Sequence, residues 1–288
     1  MIRKPDALLP VKTPLLEIEP NLYAKAEFCQ KTGSVKDRFV YLAVQKAWRE
    51  NRIDRDSVLV EATSGNTGIS LSSAASVLGL KACIIMPENM SEERKSMMRR
   101  FGAEIIEVGP SDFASAIEKR NELVSSSEKY WSPMQFENKY NIRVHKEHTG
   151  PEIYNDMKKN GHTEWDFISG AGTGGTLMGL YEYFKTLASQ NHRVIQVSPF
   201  EDAKLHGIQG INDGSDFLLD KAKIDIAEKV TTQEAIDASR SFARTHGFLV
   251  GISSGANLVA SRRYLGQNPD RKVVTLLCDR GERYFSIL

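Results

Sequence analysis

Short apolar runs alternate with segments of helical periodicity along most of the chain. Runs of β-branched and apolar residues that end in Gly, Pro or Ser predict strands at Val58–Glu61, Ala82–Met86, Glu104–Val108, Trp165–Ser169, Val194–Val197 and Val273–Leu277. Helical patterns predict helices at Ile69–Leu78, Glu92–Phe101, Phe113–Ser125, Thr176–Leu187, Gln233–Thr245 and Ala256–Leu265. Because strands and helices follow one another in turn, the pattern predicts an α/β fold with a mostly parallel sheet between helices.

Glycines mark the ends of two of these helical patterns. Gly102 and Gly247 each follow a helical segment, and we expect both in the left-handed conformation that commonly ends a helix. Parallel sheets bind their ligands beyond the carboxyl ends of the strands. The loops that directly follow predicted strands are therefore the first candidates for chemistry.

The composition excludes several classes of protein. The 288 residues are 41% hydrophobic and 26% charged, with a formal net charge of +1. These values are ordinary for a globular protein, differ from those of a disordered chain, and give no electrostatic reason to expect nucleic acid or an anionic membrane as partner. No apolar run approaches the roughly 18 residues of a membrane span. Pro10, Lys12 and Pro14 interrupt the first twenty residues, so we predict no signal peptide.

The three cysteines, Cys29, Cys83 and Cys278, are far apart and form no CxxC pair. Neither a disulfide framework nor a zinc ribbon is supported, and we expect a cytoplasmic protein. His145 and His148 stand one helical turn apart but lack a third ligand, so we expect no metal site there.

The glycine-rich stretch Gly170–Thr176 lies between a predicted strand and a predicted helix. Glycines let backbone N–H groups approach an anion, and a helix N-terminus favours negative charge, so the stretch predicts a phosphate cradle. The same stretch also matches the motif G-x-G-x-x-G, so a dinucleotide-binding site is an alternative interpretation. The next predicted strand, however, is followed by Ser198 and Pro199 rather than by the acidic residue of that motif. A plain glycine-rich turn also stays open.

Three further segments carry candidate chemistry. The turn Thr63–Gly68 crowds hydroxyl and amide side chains at a helix start, which suits a carboxylate but also a well-capped helix. Lys36 lies beside apolar residues that could lower its pKa for Schiff-base chemistry, although a lone lysine is usually a surface residue. The turn Gly251–Ala256 offers hydroxyls to a ring nitrogen or simply caps a helix.

Taken in order, SVKDR, TSGNTG, the glutamine of QFEN, GTGGT, GISSGA and GERY resemble the pyridoxal-phosphate enzymes of the cysteine synthase family. The resemblance spans Thr13 to Ser286, and several stretches are similar to the B branch of that family. It implies fold type II, the tryptophan synthase β-like fold, with two three-layer α/β domains, mostly parallel sheets and the cofactor between them. The smaller domain, with a mobile part, would be residues 36–140. The larger would combine residues 1–35 with 141–288.

The resemblance also implies a role for each motif. Lys36 would form the internal aldimine with pyridoxal 5'-phosphate and move the Cα proton. Asn66 would bond the pyridoxal 3′-oxygen, and Ser253, rather than Ser254, would face the pyridine nitrogen. The remaining residues bind anionic groups: Thr63, Ser64, Thr67 and Gln135 would hold the substrate carboxylate, and Gly172, Thr173, Gly174, Gly175 and Thr176 the cofactor phosphate.

The implied activity is β-replacement, in which O-acetyl-L-serine and sulfide give L-cysteine and acetate through an aminoacrylate. A homodimer acting on small molecules is implied as well. A cystathionine β-synthase, a serine or threonine dehydratase, and a non-catalytic binding protein of the same fold stay open. One loop departs from the B branch, because Gln209-Gly210 replaces its arginine pair. With Asp213 nearby and Lys204 as the nearest cation, we predict that O-phosphoserine is a poor donor.

Overall fold

Strands and helices alternate along the computed structural model, which describes residues 5–189, 191–202, 207–211 and 215–288. The strands are β1 (Leu15–Glu19), β2 (Leu22–Ala26), β3 (Val58–Ala62), β4 (Lys81–Pro87), β5 (Glu104–Val108), β6 (Tyr130–Trp131), β7 (Asp166–Gly170), β8 (Val194–Pro199), β9 (Ile226–Val230) and β10 (Val273–Leu277). The α-helices are α1 (Lys36–Arg49), α2 (Asn66–Leu78), α3 (Glu92–Arg100), α4 (Phe113–Ser126), α5 (Tyr140–Val144), α6 (Gly150–Lys159), α7 (Gly175–Phe184), α8 (Thr232–His246) and α9 (Ile252–Gln267).

The predicted elements are confirmed, with most boundaries shifted by a few residues. β5 and β10 match their predicted ranges, whereas α9 begins at Ile252, four residues before the predicted start. Gly102 and Gly247 end their helices with φ of 86° and 75°, as expected. The sequence patterns did not predict β1, β2, β6, β9 or the helices α1, α5 and α6.

The described chain divides into two compact units. The first contains Gln30–Asn138 and the described residues up to Val11, and the second contains Lys12–Cys29 and Lys139–Leu288. The predicted assignment of residues 36–140 to a smaller domain with a mobile part stays a prediction, as does that of 1–35 with 141–288 to a larger one.

The described part of the first unit holds a four-stranded parallel sheet in the order β5-β4-β3-β6. Every residue of β3 is buried, as expected for a central strand of a parallel sheet. Its alternate residues Val58, Val60 and Ala62 pack with Cys83 of β4 and Ala116 of α4. β3 ends at the turn Thr63–Gly65, and α2 follows at once.

The described part of the second unit holds a six-stranded sheet in the order β1-β2-β10-β7-β8-β9. Its neighbouring strands run parallel except β1, which pairs antiparallel with β2. Helices cover both faces, so the unit has three layers. Ile168 and Ile195 pack with Ala256 of α9 on one face, and on the other Phe167 packs with Leu177 of α7. Within the ranges that the structure describes, no helix has the length and hydropathy needed to cross a bilayer.

Candidate active site

The turn after β3 is shaped by an arginine that closes over its glycine. Gly65 has a φ of 152°, and a Cβ atom built on it would lie 2.2 Å from Cδ of Arg94. Arg94 is almost fully buried, and its Nη1 donates a hydrogen bond of 2.8 Å to the carbonyl of Ser64. Only glycine fits this position without a shift, because both the backbone angle and the space exclude a side chain.

The structure brings together two residues that were predicted to hold the substrate carboxylate. The Thr67 hydroxyl donates to Oε1 of Gln135 at 2.6 Å, although the two residues are 68 positions apart. Nε2 of Gln135 donates to the carbonyl of Ala62 at 2.9 Å. Thr63 uses its hydroxyl differently, because Oγ1 accepts from the backbone N–H of Gly65 at 3.0 Å. The turn thus carries hydroxyl and amide groups in fixed orientations at the N-terminus of α2.

A buried carboxyl group lies directly behind this turn. Glu61, in β3, is fully buried, and its carboxylate accepts from the backbone N–H groups of Ala62 and Gln135 and from Arg120. Burial raises the pKa of Glu61 to about 7, although Arg120 and the two N–H groups oppose that rise. The charged form is the one that these three donors suit.

Lys36 is the first residue of α1 and is partly buried. Its neighbour Asp37 is fully buried and accepts hydrogen bonds from the N–H and hydroxyl of Thr32 and from the hydroxyl of Ser70 on α2. Asp37 therefore fixes the start of α1 against α2. Two positions before Lys36, the Ser34 hydroxyl is buried and has no hydrogen-bond partner among the described residues. Such a group is stabilised by a polar ligand.

In the second unit, the glycine loop leaves β7 and starts α7 with backbone groups. Gly174 has a φ of 84°, and a Cβ built on it would lie 2.6 Å from the backbone nitrogen of Leu219. A Cβ on Gly175 would lie 2.6 Å from Oδ1 of Asn141. The first turn of a helix leaves N–H groups without partners inside the helix, so the start of α7 offers donors to an anion.

Side chains from distant segments hold the glycine loop in place. Asn257 accepts from the backbone N–H of Gly170 at 2.8 Å, and Asn141 donates to the Thr173 hydroxyl at 2.9 Å. Nε2 of His145, in a π-helical turn, lies 3.2 Å from the hydroxyl of Thr176. These supports are amide and imidazole groups. His145, which was set aside as a metal ligand, instead contacts the predicted phosphate loop.

The two serines at the start of α9 have different surroundings. Ser254 is fully buried, and its hydroxyl accepts from the backbone N–H of Cys278 at 2.8 Å. Ser253 faces Gly210, because a Cβ built on that glycine would lie 3.1 Å from the Ser253 hydroxyl. Lys204 and Asp213, which entered the prediction about phosphoserine, lie outside the described residues, whereas Gln209 is described and partly buried.

Sequence patterns missed the supporting residues, namely Asp37, Glu61, Arg94, Arg120, Asn141 and Asn257. One signal was available for Glu61, since a charged residue in the apolar run Val58–Ala62 needs a partner when that run is a central strand. Nothing near Arg94 or Asn257 in the sequence marks their contacts, because their partners lie 30 and 87 residues away.

Comparisons with known proteins agree with the resemblance. A family profile described as "Pyridoxal-phosphate dependent enzyme" matches residues 7–279. Cysteine synthase B of Campylobacter jejuni is 37% identical over 290 residues, which cover 95% of this chain and 94% of that protein. A hydrogen sulfide-producing enzyme of Fusobacterium nucleatum superposes with a TM-score of 0.90 at 35% identity, covering 98% of this chain and 89% of that one. An O-acetylserine-dependent cystathionine beta-synthase of Helicobacter pylori superposes with a TM-score of 0.87 at 31% identity, covering 99% and 98%.

Proposed function

This chain belongs to the pyridoxal-phosphate-dependent enzymes, and from that membership we propose that it makes L-cysteine from O-acetyl-L-serine and sulfide. In the reaction the Cβ–O bond of the substrate breaks, acetate leaves, and sulfur bonds to the same carbon. The proton lost from Cα returns at the end. The observation that carries the proposal is the turn Thr63–Gly68, where Thr67 and Gln135 are joined at a helix N-terminus.

The residues present suit pyridoxal 5'-phosphate. The first turn of α7 and the left-handed Gly174 form a backbone cradle of the kind that takes a phosphate. The buried, unpartnered hydroxyl of Ser34 lies two positions from the amine of Lys36. When bound, this cofactor supplies an electron sink that lets an amino acid lose a Cα proton and a β leaving group.

Lys36 supplies the amine in this proposal. Its Nζ would hold the aldehyde carbon of the cofactor, and after the substrate amine replaces it there, Nζ would take and return the Cα proton. Asp37 contributes indirectly, because its bonds to Thr32 and Ser70 fix the start of the helix that carries Lys36. Asn66, the first residue of α2, would bond the 3′-oxygen of the pyridine ring.

Carboxylate binding falls to the turn after β3. The N–H groups at the start of α2, with Thr63, Ser64, Thr67 and Gln135, would hold the substrate carboxylate. The Thr67 hydroxyl donates a hydrogen bond to the amide oxygen of Gln135, so in this arrangement Thr67 orients the glutamine amide. Enclosing the carboxylate there would exclude water from the reacting carbon and protect it from hydrolysis.

In the second unit, Gly172, Thr173, Gly174, Gly175 and Thr176 would bind the phosphate. Ser253 would face the pyridine nitrogen, and the bond from Cys278 to Ser254 supports that choice between the serines. A neutral hydroxyl does not hold a ring nitrogen protonated as a carboxylate does. Ser253 therefore limits how far electrons are drawn into the ring, which favours loss of the β substituent over other outcomes.

The donor is expected to be the acetyl ester. A phosphate leaving group carries nearly two negative charges and is usually met by an arginine fork, whereas position 209 holds a neutral glutamine. Gln209 can donate to a carbonyl oxygen but cannot neutralise a dianion. Competition between O-acetylserine and O-phosphoserine at fixed sulfide tests this, and a higher kcat/KM for O-phosphoserine would contradict it.

The sulfur donor needs its own assay, because the relatives carry the names of different activities. Acetate release from O-acetylserine is measured with sulfide, with thiosulfate and with homocysteine under the same conditions, because acetate leaves in all three reactions whereas only sulfide gives cysteine itself. We expect sulfide to give the highest kcat/KM. A preference for homocysteine would assign the chain to cystathionine formation, which the Helicobacter pylori neighbour favours as the second candidate.

We also propose a cytoplasmic homodimer, as the family resemblance implies. The cysteines are free thiols, which suits a reducing compartment. Light scattering on the purified protein tests the dimer, and a monomer at micromolar concentration would refute it.

A further inference from the structure

Glu61 and Arg120 form a buried ion pair in the first unit. Both side chains are fully buried, and Nη1 of Arg120 lies 3.3 Å from Oε1 of Glu61. Burying two charges costs more than their attraction returns unless further hydrogen bonds complete the pair. The bonds that complete this pair lead to the turn that carries Gln135.

Glu61 and its neighbour Ala62 hold Gln135 at two points. Oε2 of Glu61 accepts from the backbone N–H of Gln135 at 3.0 Å, and the carbonyl of Ala62 accepts from the side-chain amide at 2.9 Å. Thr67 donates to the amide oxygen. Because both the backbone and the side chain of Gln135 are fixed, the direction of its amide follows from the position of Glu61.

Arg120 reaches the far end of the same turn. Its guanidinium donates to both carboxylate oxygens of Glu137, at 2.8 and 3.3 Å. Directly before Gln135 stands Met134, a residue other than glycine with a φ of 55°. A residue in that region stores strain and keeps its conformation only when its surroundings hold it there. The N–H of Glu137 donates to the carbonyl of Met134, and Glu61 and Arg120 hold Gln135 and Glu137, one and three residues further on.

We propose that Glu61 and Arg120 are positioning residues for Gln135, so that a buried ion pair which touches no substrate sets the affinity for the amino-acid substrate. The inference rests on the proposed function, because it takes Gln135 to bind the substrate carboxylate. It adds a residue pair and a mechanism to that assignment.

The most direct test of this role is the variant Glu61→Gln, which keeps the size of the side chain. An amide has one oxygen and one NH₂ group, whereas Glu61 accepts with both oxygens. In the variant, the NH₂ group must face an N–H of Ala62 or Gln135 or the guanidinium of Arg120. Facing the N–H of Gln135 costs one hydrogen bond, whereas facing Ala62 and Arg120 costs two, so we expect the NH₂ group to face Gln135. The backbone of Gln135 then shifts, and its amide turns away from the direction described.

The readout is KM for O-acetyl-L-serine against KM for sulfide. We expect Glu61→Gln to raise the first about tenfold, as for one lost hydrogen bond, with the second unchanged because sulfide has no carboxylate. Asp166→Asn is the matched control. Asp166 is also a buried acid of a central strand and bonds to Arg271, Tyr264 and the backbone of Arg193, and none of these described bonds reaches a predicted site residue. It should lower stability and leave both KM values unchanged.

The pH profile separates positioning from simple loss of stability. The charged groups described around Glu61 are Arg120 of α4 and, beyond it, Glu137, and the residue of α2 that bonds to Gln135 is the neutral Thr67. The parent's KM for O-acetylserine should rise as the pH falls below about 7, where Glu61 gains a proton. Glu61→Gln should lack that rise, because the amide does not titrate.

A second variant covers the case in which Glu61→Gln does not fold. Glu61→Gln combined with Arg120→Met removes both charges, a change that buried pairs commonly tolerate. It should fold, retain cofactor and still show the raised KM. If either folded variant keeps the parent's KM while Gln135→Ala raises it, the inference fails and the proposed function stands. If the parent does not convert O-acetylserine with any sulfur donor, both fail.

Discussion

The turn after β3 and the loop after β7 both join a buried parallel strand to a helix N-terminus, but they present different groups. The first offers the hydroxyls and amides of Thr63, Thr67 and Gln135. The second offers backbone, because side chains at Gly174 and Gly175 would collide with Leu219 and Asn141. We therefore expect the first region to bind its anion through side chains and the second to bind its anion through backbone N–H groups.

Their supports differ as well. The charged pair Glu61–Arg120 lies behind the first turn, whereas the neutral amides of Asn141 and Asn257 hold the second loop. A phosphate carries enough charge to be held by backbone dipoles alone. A carboxylate carries less charge and must be released with each product, so a few oriented side-chain donors suit it. We expect replacement of a polar side chain to impair binding at the first region, and addition of a Cβ atom at a glycine to impair binding at the second.

The largest effect should come from a residue outside both regions. Lys36→Ala removes the amine at the start of α1 and leaves both turns intact. We expect kcat to fall on the order of a thousandfold or more, because the group proposed to move the Cα proton is gone. The free energy of unfolding should change little. Turnover near that of the parent would remove Lys36 from the mechanism.

Gly174→Ala tests the backbone loop. A left-handed φ of 84° and a contact of 2.6 Å with Leu219 N should together cost about 2 kcal/mol or more of unfolding free energy and weaken cofactor binding. Gly161→Ala is the matched control, since Gly161 has a φ of 80° but open space around its Cβ position. Equal losses in the two variants would mean that the backbone angle alone, and not the crowded loop, accounts for the effect.

Gln135→Ala tests the side-chain turn. Truncating a donor to a carboxylate costs about 1.5–3 kcal/mol, so KM for O-acetylserine should rise roughly ten- to a hundredfold. Cofactor affinity, measured by titration of the visible absorbance, should stay that of the parent. If Gln135→Ala loses the cofactor but keeps its affinity for the substrate, the turn after β3 binds the cofactor and not the substrate carboxylate.

The smallest effect concerns the charge behind the first turn. The pKa of Glu61 is raised to about 7 in the folded protein from its ordinary value of 4.5. Between these values the folded state binds a proton at Glu61 that the unfolded state has released, so the contribution of Glu61 to stability is greatest below about pH 4.5 and falls as the pH rises to about 7. The slope is at most about 1.4 kcal/mol per pH unit. Chemical denaturation across that range should show less slope for Glu61→Gln than for the parent.

Most of the fold could be predicted from sequence because its central strands are continuous apolar runs. The pair β1 and β2 could not, since β2 contains Lys25, which is fully buried and paired with Glu152 of α6. Lys25 interrupts the apolar run of the strand. Because its partner lies 127 residues later, no local pattern indicated that this lysine is buried. The charged start of α1, where Asp37 and Arg38 are buried, hid that helix in the same way.

The candidate site divides along similar lines. Short stretches such as Thr63–Gly68 and Gly170–Thr176 carry their chemistry within one turn, and the sequence alone marks them. The contact between Thr67 and Gln135 depends on chain folding, so only family resemblance linked those residues beforehand. Neither a local motif nor the family resemblance predicted the ion pair between Arg120 and Glu61, because it depends on how α4 packs on the sheet.

The order of strands in the larger sheet has a consequence during synthesis. β10 lies between β2 and β7, and its register pairs Leu22 with Val273, about 250 residues later. While a ribosome makes the chain, β2 and β7 emerge long before the strand that joins them, at roughly 5–20 residues per second. The strands of the smaller sheet all lie within the contiguous stretch Gln30–Asn138, so they can pair without residues that are made much later. The first unit can therefore fold on the nascent chain, whereas the second keeps open strand edges until nearly all of it has been translated, and this interval is where a chaperone would act.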